Sequence, residues 1–340
     1  MPEVGASLEG GRPAEDVPLA GRGESPWRLA GRRLRRDRVS QAAALVFILI
    51  VASCIAAPLY AEHVAGTGPN DEHVTKKIEQ DGEQVDVVAP DGKPIGPTWG
   101  KEYFMGADNL GRDVMVRILY GGRNSLLVGL SAAVITLVLS ILAGLLAGYF
   151  RGGVDRMISG LFDVMWSFPV LLFGIALGTA LAIGGLNFWF IHLESGSIWI
   201  PTIVIGVVYV PYLGRTLRGQ VLSLREKEFV EAAVAQGMGS PRIMFSEILP
   251  NLASTLLVFS TLIVANNILL ETALSYLGAG IRPPEPSWGN LIADGADRIV
   301  TAPHLTLAPG LATVLTVLAL NLFGDGLRDA LNPRAKVRLR

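Results

Sequence analysis

The sequence predicts an all-α polytopic membrane protein with six transmembrane helices. Half of the 340 residues are hydrophobic, only 17% are charged, and the mean hydropathy is +0.43. Soluble domains carry about 25% charged residues, so a water-soluble enzyme is not expected. Six stretches also lack Asp, Glu, Lys and Arg for about 20 residues or more, which is enough for a helix to cross the hydrocarbon core of a bilayer.

The predicted spans are rich in Leu, Ile, Val, Ala and Phe. Helix is their expected form because a lipid-facing backbone must satisfy its own hydrogen bonds. The third span is expected to begin early, near Met157, and to hold Asp163 close to the membrane surface. The six spans are residues 39–61, 124–150, 164–193, 195–214, 248–270 and 299–324.

The distribution of Lys and Arg sets the predicted orientation. With six spans both termini lie on one side, and that side receives 20 Lys and Arg residues against nine on the other. The six arginines between Arg28 and Arg38, directly before the first span, are the strongest part of this bias. The sequence therefore predicts a multi-pass protein of the plasma (cell inner) membrane with both termini in the cytoplasm. The arginine cluster is interpreted as a topology signal that also touches anionic lipid head groups.

Several kinds of chemistry have no counterpart in the sequence. There is no phosphate-binding loop, no H-E-x-x-H and no G-x-S-x-G, and the four histidines are scattered without metal-ligand spacing. One cysteine excludes an intrachain disulfide framework, and a formal net charge of −1 gives no bulk attraction to nucleic acid. Neither catalysis, a cofactor, a metal site nor nucleic-acid binding is expected of this chain.

The predicted spans separate several polar segments of the chain. Residues 1–38 form a cytoplasmic tail, disordered at its start, and residues 325–340 form the other tail. Residues 62–123 form an outer segment with an insert at 62–98, in which the stretch QVDVV at 84–88 predicts a strand and PDGK at 90–93 a turn. Residues 99–123 alternate apolar and charged groups, which predicts a short amphipathic helix on the membrane surface.

The inner segment 215–250 keeps a defined helical pattern. Its first half has strong helix formers, and Gly237 is expected to end that helix because glycine takes the left-handed conformation without penalty. Ser240 is expected to cap a second helix that has Pro241 in its first turn. The sequence thus predicts two short helices joined by a bend, with a face of small residues suited to docking against another protein. A merely solvated loop is the weaker interpretation.

Polar groups within the spans are few. Glu271 lies at the outer end of the fifth span, and Asn266 and Asn267 precede it by about one helical turn. Interhelical hydrogen bonding by this asparagine pair is favoured over contact with a substrate. The GxxxG pattern of Gly144 and Gly148 indicates close helix packing rather than a pore.

Four motifs in this order resemble one family. The stretch EAA at 231–233, Gly237 and EILP at 247–250 resemble the EAA signature of importer permeases of the ATP-binding-cassette (ABC) class, with Glu247 where Ile is more usual. Three further motifs narrow the resemblance to one group within this class. They are GADNLGRD at 106–113 followed by GRNSL at 122–126, DV and SFP within 163–169, and ETALSYLG at 271–278 followed by PPEPSWG at 283–289. Residues 27–335 thus look like the second permease subunit of dipeptide, oligopeptide and nickel importers.

The resemblance implies a type I importer permease fold with a cytoplasmic coupling helix. It implies a related second permease as a heterodimer partner, two separate ATPases that bind ATP and Mg, and an extracytoplasmic substrate-binding protein. The ATPases would grip a coupling segment that includes Glu231, Ala232, Ala233, Gly237, Ser240, Leu249 and Pro250. The substrate path is expected at Asn266, Asn267 and Glu271. An outer gate or a seat for the binding protein is expected at Asp108, Gly111, Arg112, Asp113, Ser287 and Trp288, where loop turns and interfacial anchoring are an equal alternative.

The substrate stays open at this point. Peptides are the first expectation, and nickel, haem or another small solute is compatible with the same scaffold. An ATPase-independent secondary transporter predicts inverted repeats and buried charges at mid-membrane, and neither is evident in the sequence. A third possibility is a membrane receptor or structural protein that uses the bent segment only as an adaptor.

Overall fold

The computed structural model describes residues 31–80, 82–188 and 191–331. The chain is largely helical in these ranges, and two short β-hairpins lie outside the helices. The helices of eight or more residues are α1 (Arg38–Ile55), α2 (Val114–Phe150), α3 (Gly152–Trp166), α4 (Val170–Gly184), α5 (Trp199–Val208), α6 (Val210–Arg225), α7 (Glu228–Ala235), α8 (Ala253–Tyr276), α9 (Trp288–Ala296) and α10 (His304–Leu331). The strands are β1 (Lys77–Gln80), β2 (Glu83–Asp86), β3 (Leu186–Phe188) and β4 (Ile191–Leu193), paired antiparallel as β1–β2 and β3–β4.

Shorter helical turns connect these elements. After α1 come an α-helical turn and a π-helical turn, and between α7 and α8 the chain passes through two α-helical turns and one π-helical turn. These turns are Ala57–Tyr60, Ala61–Ala65, Ser240–Arg242, Ile243–Ile248 and Leu249–Asn251.

Five helical stretches among the described residues are long and apolar enough to cross a membrane: α1, α2, α5 with α6, α8 and α10. The pair α3 and α4 makes a sixth if it counts as one span. The predicted class, an all-α polytopic protein with six membrane segments, is confirmed at this level.

The second span is much longer than its charge-free run. α2 has 37 residues and begins at Val114, ten residues before the predicted start at 124. At 1.5 Å per residue it is about 55 Å long, well beyond the roughly 30 Å hydrocarbon core. The amphipathic surface helix predicted over 99–123 is therefore wrong, because its second half is the outer end of α2, capped by the Asp113 carboxylate at the Val116 amide.

The third span is not one straight helix as predicted. α3 and α4 meet at 91° across the stretch 167–169. Pro169 cannot donate a backbone hydrogen bond, and its ring disfavours helical geometry at the preceding Phe168, so the helix stops there and restarts in a new direction. Near the end of the predicted span, residues 186–188 and 191–193 are strands of the β3–β4 hairpin instead.

The remaining spans occur near their predicted positions with shifted ends. The helices α6, α8 and α10 run beyond the predicted limits at 214, 270 and 324 into charged sequence. Charged residues end a charge-free run without ending a helix, since Lys, Arg and Glu are good helix formers.

The centre of the fold is the contact between α2 and α6. An added Cβ at Gly144 would lie 2.7 Å from the Leu217 Cβ atom, and one at Gly148 would lie 2.6 Å from the Val221 Cβ atom. The glycines therefore let the two helix backbones approach closely, as small residues do in membrane bundles. The predicted packing role of this GxxxG pattern is confirmed.

The outer segment folds into a small unit with its own core. Ile78, Val87 and Tyr103 are buried together with Ala107. The β1–β2 hairpin confirms the predicted strand, and the turn at 89–93 closes with a hydrogen bond from the Ala89 amide to the Lys93 carbonyl. The Arg298 Nη1 atom donates to the Gly92 carbonyl at 2.7 Å, which ties the insert to the chain after α9.

The described ends of the chain lie at the same end of the bundle. Arg33 near the start of α1 donates to the Ala330 carbonyl near the end of α10, and Gly326 packs against Asp37 and Ser40. Arg151 forms an ion pair with Glu226. The predicted disordered start of the tail, residues 1–30, and the last residues, 332–340, lie outside the described residues.

Candidate functional site

In the predicted coupling segment, residues 215–250, the helix α7 has a defined stop. The Met238 amide donates to the Ala233 carbonyl at 3.1 Å, and the Gly237 amide donates to the Val234 carbonyl at 2.9 Å. This pair of hydrogen bonds is a Schellman motif, with Gly237 in the left-handed region at φ +78. The predicted bend at Gly237 is confirmed.

The second half of the coupling segment differs from the prediction. The helical turn after the bend starts at Ser240 itself, and no side chain caps it, so Ser240 is not the N-cap. Gly239 precedes the turn in extended geometry. The chain then passes through a π-helical turn, and α8 begins three residues after Pro250. The Pro250 ring is exposed and Leu249 is half-buried beside the core.

One face of α7 is anchored to the bundle. Val230 and Ala233 are buried in one hydrophobic cluster with Leu217 and Val221 of α6 and with Ile243 of the π-helical turn. The expectation that Ala233 belongs to an outward docking face is therefore corrected, because its methyl group packs inward. Neighbouring residues of a helix point in different directions, and the preceding Ala232 is exposed.

The opposite face of the coupling segment is open. Glu231 is exposed, as are Ala232 and Gly237. Large apolar side chains lie exposed beside them: Phe229 is 37% exposed, Val234 56% and Phe245 49%.

The polar residues of α8 lie in the interior. Asn267 is fully buried, and its Nδ2 atom is 3.5 Å from the Thr136 Oγ1 atom of α2. The Thr136 hydroxyl donates to the Gly206 carbonyl of α5 at 2.8 Å. This arrangement joins three helices, which favours the interhelical interpretation. Asn266 is half-buried, and the expected contact of Asn266 and Asn267 with a substrate stays a prediction.

Glu271 is fully buried near the end of α8. Its Oε1 atom accepts a hydrogen bond from the Ser275 hydroxyl at 2.7 Å, and the hydroxyl in turn accepts from the Ile281 amide at 2.9 Å. The Ser125 and Ser287 hydroxyls face the same carboxyl group. The arrangement holds the start of the α8–α9 loop, and a role of Glu271 in the substrate path stays a prediction.

Ser287 and Trp288 hold α9 against α2. The Ser287 hydroxyl accepts from the Asn290 amide, and the Asn290 side chain accepts from the Ser287 amide, which together form a capping box. The Trp288 ring is 1% exposed, lies against Gly122, and donates from Nε1 to the Ile118 carbonyl at 3.1 Å. The interfacial anchoring considered for this tryptophan is wrong, because the ring is packed inside the protein. Both residues lie beneath the outer surface, so any effect on a binding protein would act through the position of α9.

The loop 106–113 is organised by two carboxylates. Asp108 accepts from the Leu110 and Arg112 amides and from the Arg112 Nε atom at 2.6 Å. Asp113 accepts from the Tyr103 and Val116 amides, and burial still raises the pKa of its carboxyl group.

Two nearby features support the same loop. Gly111 is in the left-handed region, with its backbone against His73 of the insert. Burial and the charge of Asp113 raise the pKa of Tyr103 to about 12.

Sequence reasoning missed two members of this outer cluster. Arg117 is 2% exposed and donates from Nη1 to the Pro69 carbonyl at 2.9 Å. Asp294 of α9 lies 3.9 Å from Arg112 and 4.0 Å from Arg117. Arg117 is 3.6 Å from the Asp108 carboxylate of the nearby loop, but Asn70 and Asp294 lie 47 and 177 positions away, so no local pattern could bring these partners together.

The helical arrangement has a counterpart among solved structures. One chain of the inward-facing methionine ABC transporter MetNI, in its native crystal form, matches with a TM-score of 0.52 over 64% of this chain and 97% of that chain. The two are 17% identical in sequence, so the likeness shows the fold. The protein has the fold of a type I ABC importer permease.

Sequence relatives give the family. Residues 140–337 match the family described as binding-protein-dependent transport system inner membrane component, and residues 25–76 match the N-terminal TM domain of oligopeptide transport permease C. The chain belongs to this family of permeases, as its four motifs predict. As a transporter permease subunit of an ABC importer it works with ATPase and substrate-binding partners.

Three relatives illustrate the range. The dipeptide transport system permease protein DppC of Alkalihalophilus pseudofirmus is 36% identical over 92% of this chain and 91% of its own. The glutathione transport system permease protein GsiD of Pectobacterium atrosepticum is 33% identical over 92% of both chains. The oligopeptide transport system permease protein OppC of Haemophilus influenzae is 33% identical over 94% of this chain and 92% of its own.

Proposed function

We propose that this chain is the permease subunit of a peptide importer that translocates di- or oligopeptides across the plasma membrane. Dipeptide, oligopeptide and glutathione permeases are similar to it over nearly their whole length, and all three names refer to transport of short peptides. Nickel, haem and other small solutes, which the sequence leaves open, do not appear in these names.

The chain supplies the gate and separate ATPases supply the energy. The coupling segment is the main support for this proposal, because one of its faces packs on the bundle and the other is free to bind a partner. The inner face of α7 is buried in the same hydrophobic cluster as Leu217 and Val221 of α6. The outer face presents Glu231 and Ala232 to solvent, and Phe229, Val234 and Phe245 of the same segment are exposed as well. A partner that grips the outer face would move α6 and, through the glycine contact, α2.

The proposed assembly has four kinds of component. This subunit pairs with a related second permease, and the substrate path runs between the two. Two ATPases bind ATP and Mg and close on the coupling segments, which rocks the helices from inward-open to outward-open. An extracytoplasmic binding protein delivers the peptide to the outer loops. This chain itself is non-catalytic.

Both termini are proposed to be cytoplasmic. The Arg33–Ala330 hydrogen bond joins the two described chain ends, and Arg328 lines one cavity with Ser254 at the start of α8, just after the coupling segment. This end also carries the excess of Lys and Arg in the sequence, which favours the cytoplasmic side.

Reconstitution of the complete importer tests the proposal. The full set of subunits in proteoliposomes should take up labelled dipeptide only with ATP and the binding protein. Glu231→Lys should abolish uptake and release the ATPases while membrane insertion is unchanged, because Glu231 lies exposed on the open face of the coupling segment. Asp329→Lys is the matched control: it is an exposed acid at the same end of the bundle, outside the coupling segment.

The same experiment separates the alternatives. Uptake by proteoliposomes that contain this chain alone would show a secondary transporter. Retention of the ATPases together with normal uptake in Glu231→Lys would show that the docking assignment is wrong.

A further inference from the structure

One side of α3 is exposed, and the exposed side continues across the bend towards α4. The opposite side packs on α6, where the Phe162 ring lies against Gly214. The large side chains of the exposed side recur every three or four residues, so they follow one side of the helix. We call this side, within residues 153–169, the α3 face. Its stripe of large apolar side chains, each between 37% and 71% exposed, consists of Val154, Met157, Leu161, Val164 and Phe168.

An apolar stripe by itself suits lipid as well as protein. The side of α1 that carries Leu45, Ile48 and Leu49 is such a surface, because these side chains are 57–61% exposed and no charged residue occurs between 39 and 61. The α3 face differs from that surface in three respects. It has an exposed ion pair, an exposed break in the helical backbone and open space at two glycines.

The ion pair joins Asp163 of α3 to Arg215 of α6 at 2.8 Å. The two side chains are 74% and 40% exposed. Ionised side chains of membrane segments almost always face the interior of a bundle or a water-filled cavity, because their transfer into hydrocarbon is costly. Lipid is therefore an unfavourable neighbour for this part of the α3 face.

The break in the backbone lies within the membrane. Residues 167–169 are exposed and not helical, and the preceding Trp166 ring stacks on Tyr212 with ring centroids 6.2 Å apart. Two residues before Tyr212, the Val210 carbonyl accepts a hydrogen bond from Ser140, which is about 15 Å from the inner end of α2. A helix as long as α2, when centred, extends only about 12 Å beyond the hydrocarbon core at each end. Irregular backbone at this depth is tolerated only where protein or a water-filled cavity covers it.

Gly153 and Gly160 flank the apolar stripe. They are two helical turns apart, so they lie on the same side of α3. A Cβ atom added at either glycine would meet no atom of the described chain within 4 Å, whereas one at Gly148 of α2 would lie 2.6 Å from the Val221 Cβ atom. Small residues in membrane helices let a neighbouring backbone approach, and polar groups join such helices. The α3 face therefore has the composition of a helix–helix interface whose second helix is absent from the described residues.

We propose that the α3 face binds a transmembrane helix of the related second permease. The glycines admit the backbone of that helix, the apolar stripe packs against its side chains, and its polar groups face the ion pair and the break. A water-filled passage at this place would leave the whole apolar stripe in water, which is unfavourable. The inference rests on the proposed function, because that function supplies the second permease.

Photo-cross-linking of the complete importer in its membrane tests the assignment. Leu161→p-benzoylphenylalanine places a photoreactive ketone on the α3 face. Leu49→p-benzoylphenylalanine is the matched control on α1, since Leu49 is 59% exposed and Leu161 58%. We expect the probe at position 161 to form an adduct with the second permease and the probe at position 49 to form none. An adduct between two copies of this chain, adducts with lipid alone or equal yields at the two positions would overturn the assignment.

Co-purification separates this inference from the proposed function. If the second permease does not co-purify with the unmodified chain, the proposed function fails and the assignment of the α3 face fails with it. If the second permease co-purifies and the probe at position 161 does not reach it, only the assignment of the α3 face fails.

Gly160→Leu tests the close approach of the two helices. The new side chain begins in open space, so the chain alone should keep its thermal stability, while retention of the second permease should fall about tenfold. Gly310→Leu on α10 is the control, because an added Cβ there also meets no atom of the described chain within 4 Å, and the adjacent Leu311 is 58% exposed. Equal retention in the two variants would contradict the close approach. A less stable Gly160→Leu chain would contradict it as well, because the space would then be filled within this chain.

Discussion

Gly148 of α2 lies against Val221 of α6 so closely that a Cβ atom on the glycine would be 2.6 Å from the Val221 Cβ atom. Val221 is also part of the cluster that buries Val230 and Ala233 of α7. Val221 thus links the close approach at Gly148 of α2 to the hydrophobic cluster that holds α7. Movement of α7 is therefore expected to reach the longest membrane helix through this cluster.

Gly148→Ala is expected to lower the free energy of unfolding by about 1–3 kcal/mol, because the new methyl group must push the two helices apart. Gly219→Ala on α6 is the control, since an added Cβ there meets no atom within 4 Å and alanine favours helix by up to about 1 kcal/mol. Denaturant unfolding of the detergent-solubilised chain measures both. Equal stability of the two variants would contradict the close contact.

Gly237→Val should abolish ATP-driven uptake while the protein still inserts into the membrane. A β-branched residue at φ +78 is strained by about 1–2 kcal/mol or more, so the Schellman stop would open and the exposed face would be misplaced. Gly239→Val is the matched control two residues away, where φ is −69 and valine fits. Uptake and ATPase retention are measured in the reconstituted complex, and loss of uptake in both variants would point to bulk rather than backbone geometry.

The ion pair between Asp155 and Arg218 should stabilise the contact between α3 and α6. The Arg218 Nη2 atom donates to the Asp155 Oδ2 atom at 2.7 Å, and both side chains are at most about one-third exposed. A double-mutant cycle with Asp155→Asn and Arg218→Gln should give a coupling energy of about 1 kcal/mol. The Asp163–Arg215 pair joins the same two helices but is 74% and 40% exposed, so its cycle should give a smaller value. The opposite order would show that burial does not govern these pairs.

Trp288→Ala should destabilise the outer end of the bundle by about 3–5 kcal/mol, because it leaves a cavity against Gly122 and removes the hydrogen bond to the Ile118 carbonyl. Trp288→Phe keeps most of the volume and should cost about 1 kcal/mol for the lost donor. Trp99→Ala is the control, since that ring is 68% exposed. Thermal unfolding ranks the three variants, and a Trp288→Ala protein as stable as Trp99→Ala would contradict the packing of this ring.

Local chemistry in the sequence predicted several features correctly. The six apolar runs, the GxxxG contact, the helix stop at Gly237 and the hairpin with its turn depend on residues close together in the chain. The ends of the helices could not be predicted in the same way. The helix α2 begins before the predicted limit at 124 and α6 continues beyond the predicted limit at 214, because charged residues mark the boundary of the lipid and not the end of a helix.

The sequence did not show which residues of a helix are exposed and which are buried. Ala232 and Ala233 are identical in the sequence, yet one is exposed and the other packs on α6. From the sequence, interfacial anchoring was one interpretation of Trp288. The structure shows its ring packed against Gly122, where the absence of a side chain leaves room for it. Such differences depend on which helix lies opposite, and that information is not local.

The sequence by itself determined the class of protein, the membrane segments and the bent coupling segment, because hydropathy, charge and backbone propensity act over a few neighbouring residues. Only the tertiary structure decided which face of α7 is open and brought Arg117 together with Asp294 across 177 positions of the chain. Close packing and buried charge depend on segments that meet after folding, and so the glycine contact at Val221 and the α3 face became visible only in three dimensions.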